Sequence, residues 1–543
     1  MDEDTKAIDR ISGLPPFVIH NIMSLLSAKE VVQTSVLSKT WYRLRESHPI
    51  LEFDQSYFVG QDLASIRPKH FSHTQREQFS ESIGNFTKFV EDSLQRFSKL
   101  NFRLKKFRLS ISLIGSELCS TVDKWIELAI GCGVREFILH VKTDEDGNYT
   151  VPETVLSAKC ISNLDICGCS WMHPFARYNI QLQFLENLSL DHVHVNEEMI
   201  QKLTKECPLL ENLSLLNCWG LKRFDLSKLI KLKDICLVVK DLESIKIVAP
   251  SLQTFILHTG IGTELCMIDM VECKNLRSLH LLCVKIADQE FHNLISMFSL
   301  LEHLVVHHCA YLGKVNISSK QLKSLTLLYN TQLEDVEIDT PNLLQFSYRS
   351  CKVPQTYSIN APCKWFVDFV CHDASDTLWY LKVKKFLRTT NQLAKLGLSI
   401  ISSKDLPDLH GLREDSPSLP CEVENVFLLV VSPVSNYQAF LDYLLWVCYP
   451  KNLSVLVNPL DEVHFYKWFF DELMKRQVNC CTSDRIQCWR HYLKGIKIEN
   501  FKRDEDAKGP FSLDALMDSQ PTPPSGTITF SLQWHSELPS MID

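Results

Sequence analysis

The sequence predicts an α/β chain: a small three-helix unit at the front, then a curved solenoid of short repeats with a parallel sheet on its concave side. Three observations carry that prediction. One apolar pattern recurs nine times in phase between Ile161 and Tyr348. A run near the front places apolar residues at helical spacing behind capping residues. The length of 543 residues exceeds what one compact core holds, so several domains or a long solenoid are expected.

The pattern is Leu, two residues, Leu, one residue, Leu, with conservative swaps. Its first positions are Ile161, Leu185, Leu210, Leu232, Leu252, Leu276, Leu301, Leu322 and Leu343, spaced 24, 25, 22, 20, 24, 25, 21 and 21 apart. Cys169, Cys218, Cys309 and Cys351 stand eight steps beyond the first position of their repeats, which completes the form of a leucine-rich repeat. One short strand cannot bury its apolar face alone, so stacked repeats share one continuous core. Side chains of a strand alternate between faces. With the fourth and sixth positions inward, the third, fifth and seventh form the concave surface. Among those, Asn187, Asn212, Asp234, His258, His280, His303, His307, Gln345 and Arg349 are the candidate target-binding residues. The mixture of small polar, histidine and apolar groups suits a protein partner better than a polyanion.

In chain order, residues 1–8 are expected to be disordered. Leu14 and Pro15 open an apolar helix through Leu26, Ser27 with Glu30 forms a capping box for a second, and Ser38 caps a third that carries Trp41 and Leu44. Some 40 residues cannot enclose a sizeable core, so apolar surface should remain for a partner. Leu51 to Phe58 reads as a strand and residues 60–100 as a largely amphipathic helix. Weaker repeats at Leu104, Phe107, Leu109 and at Val134, Phe137, Leu139 place the start of the array near residue 100.

Beyond Cys351 the phase is lost for some fifty residues. A helix is expected over 375–388, and Leu393, Leu396 and Leu398 resume the repeat. Residues 401–421, rich in Pro, Asp and Ser, read as a linker or loop. Repeats return at Val423, Val426, Leu428 and at Leu453, Leu456, on either side of an aromatic helix from Tyr437 to Val447. Residues 509–543, with QPTPPSG, read as a disordered tail.

The front segment resembles an F-box, the adaptor-binding module of SCF-type ubiquitin ligases, and in particular its plant form. The resemblance rests on Asp9, Arg10, Ile11, Ser12, Leu14, Pro15, then Ile22, Ser24, Leu26, then Thr34 through Lys39 with Trp41. Pro16, Met23, Thr40 and Arg45 depart from the usual form without removing an apolar anchor. The resemblance implies that Leu14, Pro15, Ile19, Ile22, Leu25, Leu26, Val36 and Leu37 pack on a Skp-type adaptor and through it a cullin, with Trp41 bracing the third helix. The stretch CWRHYLKGIKIENF is similar to the FBD segment of plant F-box proteins. The resulting organisation is an F-box at 9–48, leucine-rich repeats at 49–400, the linker at 401–421 and C-terminal repeats with an FBD-like segment at 422–508.

Composition narrows the function. Net charge is −8, from 57 Lys plus Arg against 65 Asp plus Glu, so there is no nucleic-acid footprint. The densest cationic cluster, Lys382, Lys384, Lys385 and Arg388, reads as a solvated helix face. The polar start MDEDTKAIDR predicts no export or transit peptide, and no apolar run approaches the ~20 residues of a membrane span. The 20 Cys are then expected to be reduced fillers of the repeat core, in the cytoplasm or nucleus. There is no Cys-x-x-Cys, phosphate-binding loop, nucleophile elbow or zinc-protease motif, so no catalytic residue, cofactor or metal is assigned. His307 with His308, adjacent on a strand, should face opposite ways, and His192 with His194 is likewise read as structural. The expected role is a substrate receptor that holds a protein target on its repeats. The alternatives are a receptor gated by a hormone-like small molecule and a scaffold that works without the F-box.

Overall fold

A computed structural model of the chain describes residues 11, 13–26, 28–60, 70–99, 103–113, 118–142, 149–171, 179–227, 229–260, 265–371, 377–389, 393–401, 420–431, 437–457, 462–475, 488–503 and 526–535. The chain divides into two compact units, one ending at Leu276 and one beginning at Arg277.

The first unit opens with three short helices, α1 (Pro16–Ser24), α2 (Ala28–Thr34) and α3 (Lys39–Glu46). Pro16 sits in the first turn of α1, where its missing N–H costs nothing. Ser38 caps α3, its hydroxyl accepting from the Trp41 N–H at 3.2 Å. Ser27, expected to cap α2, and residues 1–8 lie outside the described residues. Ile19, Met23, Val31 and Trp41 fill the centre, and Leu14, Ile22, Leu26 and Leu44 pack around it half-buried.

A parallel ladder follows. Ile50–Asp54, Lys106–Ser112, Glu136–Lys142, Asn163–Cys167, Asn187–Asp191, Asn212–Cys218, Asp234–Val239 and Thr254–His258 pair in sequence order, every pair parallel. The expected strand over 51–58 is shorter than its apolar run, because Ser56–Val59 turns into a helix. Helix His73–Lys99 buries Phe79, Phe86, Val90, Leu94 and Phe97 along one stripe.

The second unit repeats the ladder through Ser278–Leu282, His303–His307, Ser324–Leu328, Gln345–Ser350, Trp365–Cys371, Leu393–Ile401, Cys421–Val431 and Cys448–Val457. The phase that the leucines lose after Cys351 is kept by aromatic residues, since Trp365, Val367 and Phe369 are the buried positions of the next rung. Lys384 does not lie on a solvated face: it is buried on helix Thr377–Thr389, with its Nζ 3.9 Å over the Trp446 ring. The 401–421 linker lies almost wholly outside the described residues.

The tail expected to be disordered carries a strand. Gly526–Trp534 runs antiparallel to both Cys448–Val457 and Leu493–Arg503, and buries Ile528, Phe530 and Leu532. The Pro-rich stretch before it masked a clear alternation of apolar and polar residues in TITFSLQW, the period of a half-buried strand.

Along each ladder the fourth and sixth positions of the repeat are buried and the third, fifth and seventh are partly open, as in Asn187–Asp191 and Ser324–Leu328. The eighth position of the repeat takes a left-handed conformation: Gly168, His192, Asn217, Cys283, His308 and Tyr329 all have positive φ. That conformation costs a non-glycine residue about 1–2 kcal/mol. It also aims the residue's N–H at the next rung, and His192, Cys283, His308 and Tyr329 donate to the carbonyls of Leu216, His307, Leu328 and Arg349 at 2.6–3.0 Å. The added ladder bond offsets the strain.

What lies behind the sheet follows repeat length. The two repeats of 25 residues carry helices, Glu197–Glu206 and Asp288–Ser296. Shorter repeats carry strands that form second parallel ladders, Arg223–Ser227 with Ser244–Val248 and Met267–Asp269, and Lys314–Ser318 with Asp335–Asp339 and Thr356–Asn360. A helix advances only about 1.5 Å per residue against about 3.3 Å for a strand, so the same return path needs more residues when helical.

Candidate functional site

The first candidate surface belongs to α1–α3. Ile19 is fully buried and Trp41 is 2% exposed, so both side chains lie in the unit's own core rather than on its surface. Leu14, Ile22 and Leu26 are half-buried. Leu25, Val36 and Leu37 are 87%, 85% and 59% exposed, and Phe17, not singled out from sequence, is 66% exposed. Pro15 is exposed as well. The signal for Phe17 was present, since the α1 apolar residues cover more than one face, but helical spacing alone does not say which face meets the unit's own core.

Behind this surface lies a cavity of about 390 Å³, lined among others by Leu26, Val31, His48, Phe53, Phe89 and Phe97. His48 is buried there, and desolvation, with the neighbouring His20, pulls its imidazole down to about 4. It is therefore neutral near pH 7.

The second candidate surface is the open face of the repeat ladders. Asn187, Asn212 and Asp234 occupy one register line with Asn163. Asn187 donates to Asn163 Oδ1 at 3.0 Å, and the Asn212 amide contacts Asn187. His258 lies half-buried at the seventh position of its repeat, the last residue of its strand. In the second unit His280 is half-buried, and burial, with His303 beside it, lowers its pKa. His303 and Gln345 are exposed. His307 and His308 do not diverge as adjacent strand residues should: their ring centroids are 4.5 Å apart, because His308 is in the left-handed region.

From His308 a file of side chains crosses successive rungs. His308 stacks on Tyr329 at 5.1 Å and 9°, the Arg349 guanidinium stands 5.1 Å over the Tyr329 ring, and Arg349 pairs with Asp368 at 3.0 Å. Asp368 fits only because the next rung offers Gly397, where a Cβ would come within 2.7 Å of the carboxyl carbon. Burial raises the Asp368 pKa while Arg349 opposes that shift. Tyr329 and Asp368 were missed from sequence because one falls on the turn after the strand and the other in the rung without leucines.

Comparison with known proteins matches residues 11–50 to the F-box domain, and residues 94–278 and 265–402 to the family described as the At1g61320/AtMIF1 LRR domain. An F-box/LRR-repeat protein of Arabidopsis thaliana, At3g58900, is 30% identical over 261 residues, 46% of this chain and 72% of that protein. The chain belongs to the F-box/LRR-repeat proteins. Other Arabidopsis thaliana members of similar sequence are F-box/LRR-repeat protein At5g41840, 30% identical over 38% of this chain and 37% of its own length, and F-box/FBD/LRR-repeat protein At1g13570, 28% identical over 38% and 44%. The chain spans less than half the length of these two. No phosphate-binding loop, nucleophile elbow or zinc-protease motif is present in the sequence. No helix among the described residues of this F-box/LRR-repeat protein is long and apolar enough to cross a membrane.

Proposed function

We propose that this chain is the substrate-recognition subunit of an SCF-type cullin–RING ubiquitin ligase in the cytoplasm or nucleus. The F-box docks on a Skp-type adaptor and through it a cullin, and the open face of the repeats holds a protein target. Ubiquitin transfer belongs to the partners. Holding the target near the charged conjugating enzyme raises the effective concentration of its lysines.

One observation carries the reading. The F-box fills its own core with Ile19, Met23, Val31 and Trp41 and still leaves Phe17, Leu25, Val36 and Leu37 open to solvent. Four large apolar side chains left exposed on so small a unit fit a protein interface. The Leu14, Pro15, Ile22 and Leu26 positions frame the same unit and complete the docking surface. For the target, the first unit offers Asn187, Asn212, Asp234 and His258, and the second offers the file from His308 to Asp368 with His280, His303, His307 and Gln345, polar and aromatic contacts without a dominant charge.

The test is co-purification of the full chain with a Skp-type adaptor. Leu25→Asp with Val36→Asp should abolish adaptor capture while leaving the thermal melt within a degree or two. Unchanged capture by that double variant overturns the docking surface. Proximity labelling with and without residues 1–48 then reads the targets: they should persist, and accumulate, when the F-box is removed. Loss of all targets on removal of the F-box would refute recognition by the repeats.

A further inference from the structure

On the open face of the first unit, the seventh positions of two neighbouring rungs place Cys167 beside Asp191, and the turn residue His192 follows. One ligand atom from each of the three lies within 4.8 Å of the other two. The Cys167 thiol donates to Asp191 Oδ2 at 3.6 Å, and His192 Nδ1 meets Asp191 Oδ1 at 2.8 Å. All three side chains are partly open to solvent. We propose that Cys167, Asp191 and His192 form a binding site for a divalent transition-metal ion of the zinc class.

The chemistry selects the ion. A thiol sulfur, an imidazole nitrogen and a carboxylate oxygen are the donor set of zinc, cobalt and copper sites, and a poor one for magnesium or calcium, which want oxygen alone. For tetrahedral zinc, with bonds of about 2.3 Å to sulfur and about 2.1 Å to oxygen, the sulfur and oxygen stand about 3.6 Å apart. The Cys167–Asp191 separation matches that edge. The imidazole must exchange its hydrogen bond to Asp191 Oδ1 for a bond to the ion, by turning its ring or by using its other nitrogen.

The fold holds the three groups independently of any ion. Gly168 turns the chain after Cys167 with φ 73°, at a place where a Cβ would lie 2.0 Å from the Val141 carbonyl oxygen, and its N–H donates to the Asp191 carbonyl at 2.9 Å. His192 takes φ 50° and donates its backbone N–H to Leu216 at 3.0 Å. Asn217 Nδ2 donates to Asp191 Oδ1 at 3.1 Å and so orients the carboxylate from the following rung, the outer support that metal-binding carboxylates have. His194, the other member of the pair considered from sequence, takes no part, since its ring packs edge-on against Trp219.

Binding replaces protons. The ion takes the sulfur as thiolate, so the Cys167 S–H bond breaks, its proton leaves to solvent and a sulfur–metal bond forms; the metal keeps its 2+ oxidation state, and no electron is transferred. Three protein ligands leave a fourth position for water or for a donor from a bound protein.

The experiment uses the reduced full chain without a histidine tag, titrated with Co²⁺ and then displaced with Zn²⁺. The expected result is one equivalent bound with a thiolate-to-cobalt charge-transfer band in the near ultraviolet, and an affinity that rises roughly tenfold per pH unit below the thiol pKa. Cys167→Ser should remove the band, and Asp191→Asn and His192→Ala should each weaken binding at least tenfold. Because the chain has 20 Cys, the Cys167→Ser difference is decisive. A band that survives Cys167→Ser, an unchanged affinity in His192→Ala, or no Co²⁺ uptake by the wild type overturns the proposal. In case a variant misfolds, iodoacetamide labelling of the wild type gives a second reading: Zn²⁺ should slow alkylation of Cys167 in the peptide map, and an unchanged rate refutes the site.

Discussion

Ile19 in α1 and Leu25, the residue that caps its C-terminal end, sit six positions apart and answer to different demands, and substitution separates them. Ile19→Ala removes a side chain with no exposed surface and should cost about 2–4 kcal/mol of stability, read as a lowered thermal midpoint. Leu25→Ala, at 87% exposure, should change stability by less than about 0.5 kcal/mol and weaken adaptor capture. Helical periodicity named both residues. It could not tell which was spent on the inside, because that depends on where α2 and α3 cross α1.

His48 makes a second prediction at this scale. Its pKa is about 4 in the fold against an ordinary 6.5, lowered first by burial and then by His20, while Glu52 opposes and Lys105 adds to the shift. The folded state thus binds fewer protons than the unfolded one between those values. The stability tied to neutral His48 is complete above about pH 6.5 and falls away as the pH drops towards 4, by on the order of a few kcal/mol. Denaturant melts at pH 7 and pH 5 should show the loss, and His48→Phe should reduce it. An equal loss in that variant would assign the acid sensitivity elsewhere.

At the scale of the element, each rung depends on buried groups that join it to the next. Asn330 is 2% exposed, accepts from the Cys309 N–H at 2.9 Å and donates to the Val306 carbonyl at 3.0 Å. Asn330→Ala strands both backbone groups and should cost about 2–4 kcal/mol by denaturant melt. Cys218 and Cys309 show why cysteine suits the same turn: the thiol is small, buried, and donates to a carbonyl of the preceding rung at 3.4 and 3.7 Å. Burial pushes both thiols up to about 12, so alkylating reagents should pass them by in the native fold and modify them only on unfolding. The nine leucine triplets made these rungs legible in advance. The helices or strands behind them were not, because the choice depends on a few residues of repeat length and on what the neighbouring repeat offers as a pairing edge.

For the molecule as a whole, the strand Gly526–Trp534 is the test of how the chain is closed. It lies between Cys448–Val457 and Leu493–Arg503, with Trp534 Nε1 donating to the Pro450 carbonyl at 2.7 Å and the Trp534 ring stacked on Tyr449 at 4.2 Å. Removing residues 509–543 should leave two unpaired strand edges and uncover the apolar partners of Ile528, Phe530 and Leu532, each worth about 1.5–3 kcal/mol of burial. Such a truncation should aggregate in size-exclusion chromatography. A monodisperse, protease-resistant product would show the strand to be dispensable.

The class of fold, the in-phase rungs and the presence of an F-box are legible along the chain, because periodic burial and helix caps are local properties written every few residues. Packing across the fold is what turns Ile19 inward and Phe17 outward, continues the ladder through Trp365–Cys371 without leucines, and pairs a strand from the tail next to Cys448–Val457. It alone brought Cys167 to Asp191 and Tyr329 to Arg349. Those contacts join residues 24 positions apart for Cys167 and Asp191, 20 for Tyr329 and Arg349 and 84 for Pro450 and Trp534, and which side chains meet across such gaps is fixed by the register of stacked strands, a quantity that no short window of sequence contains.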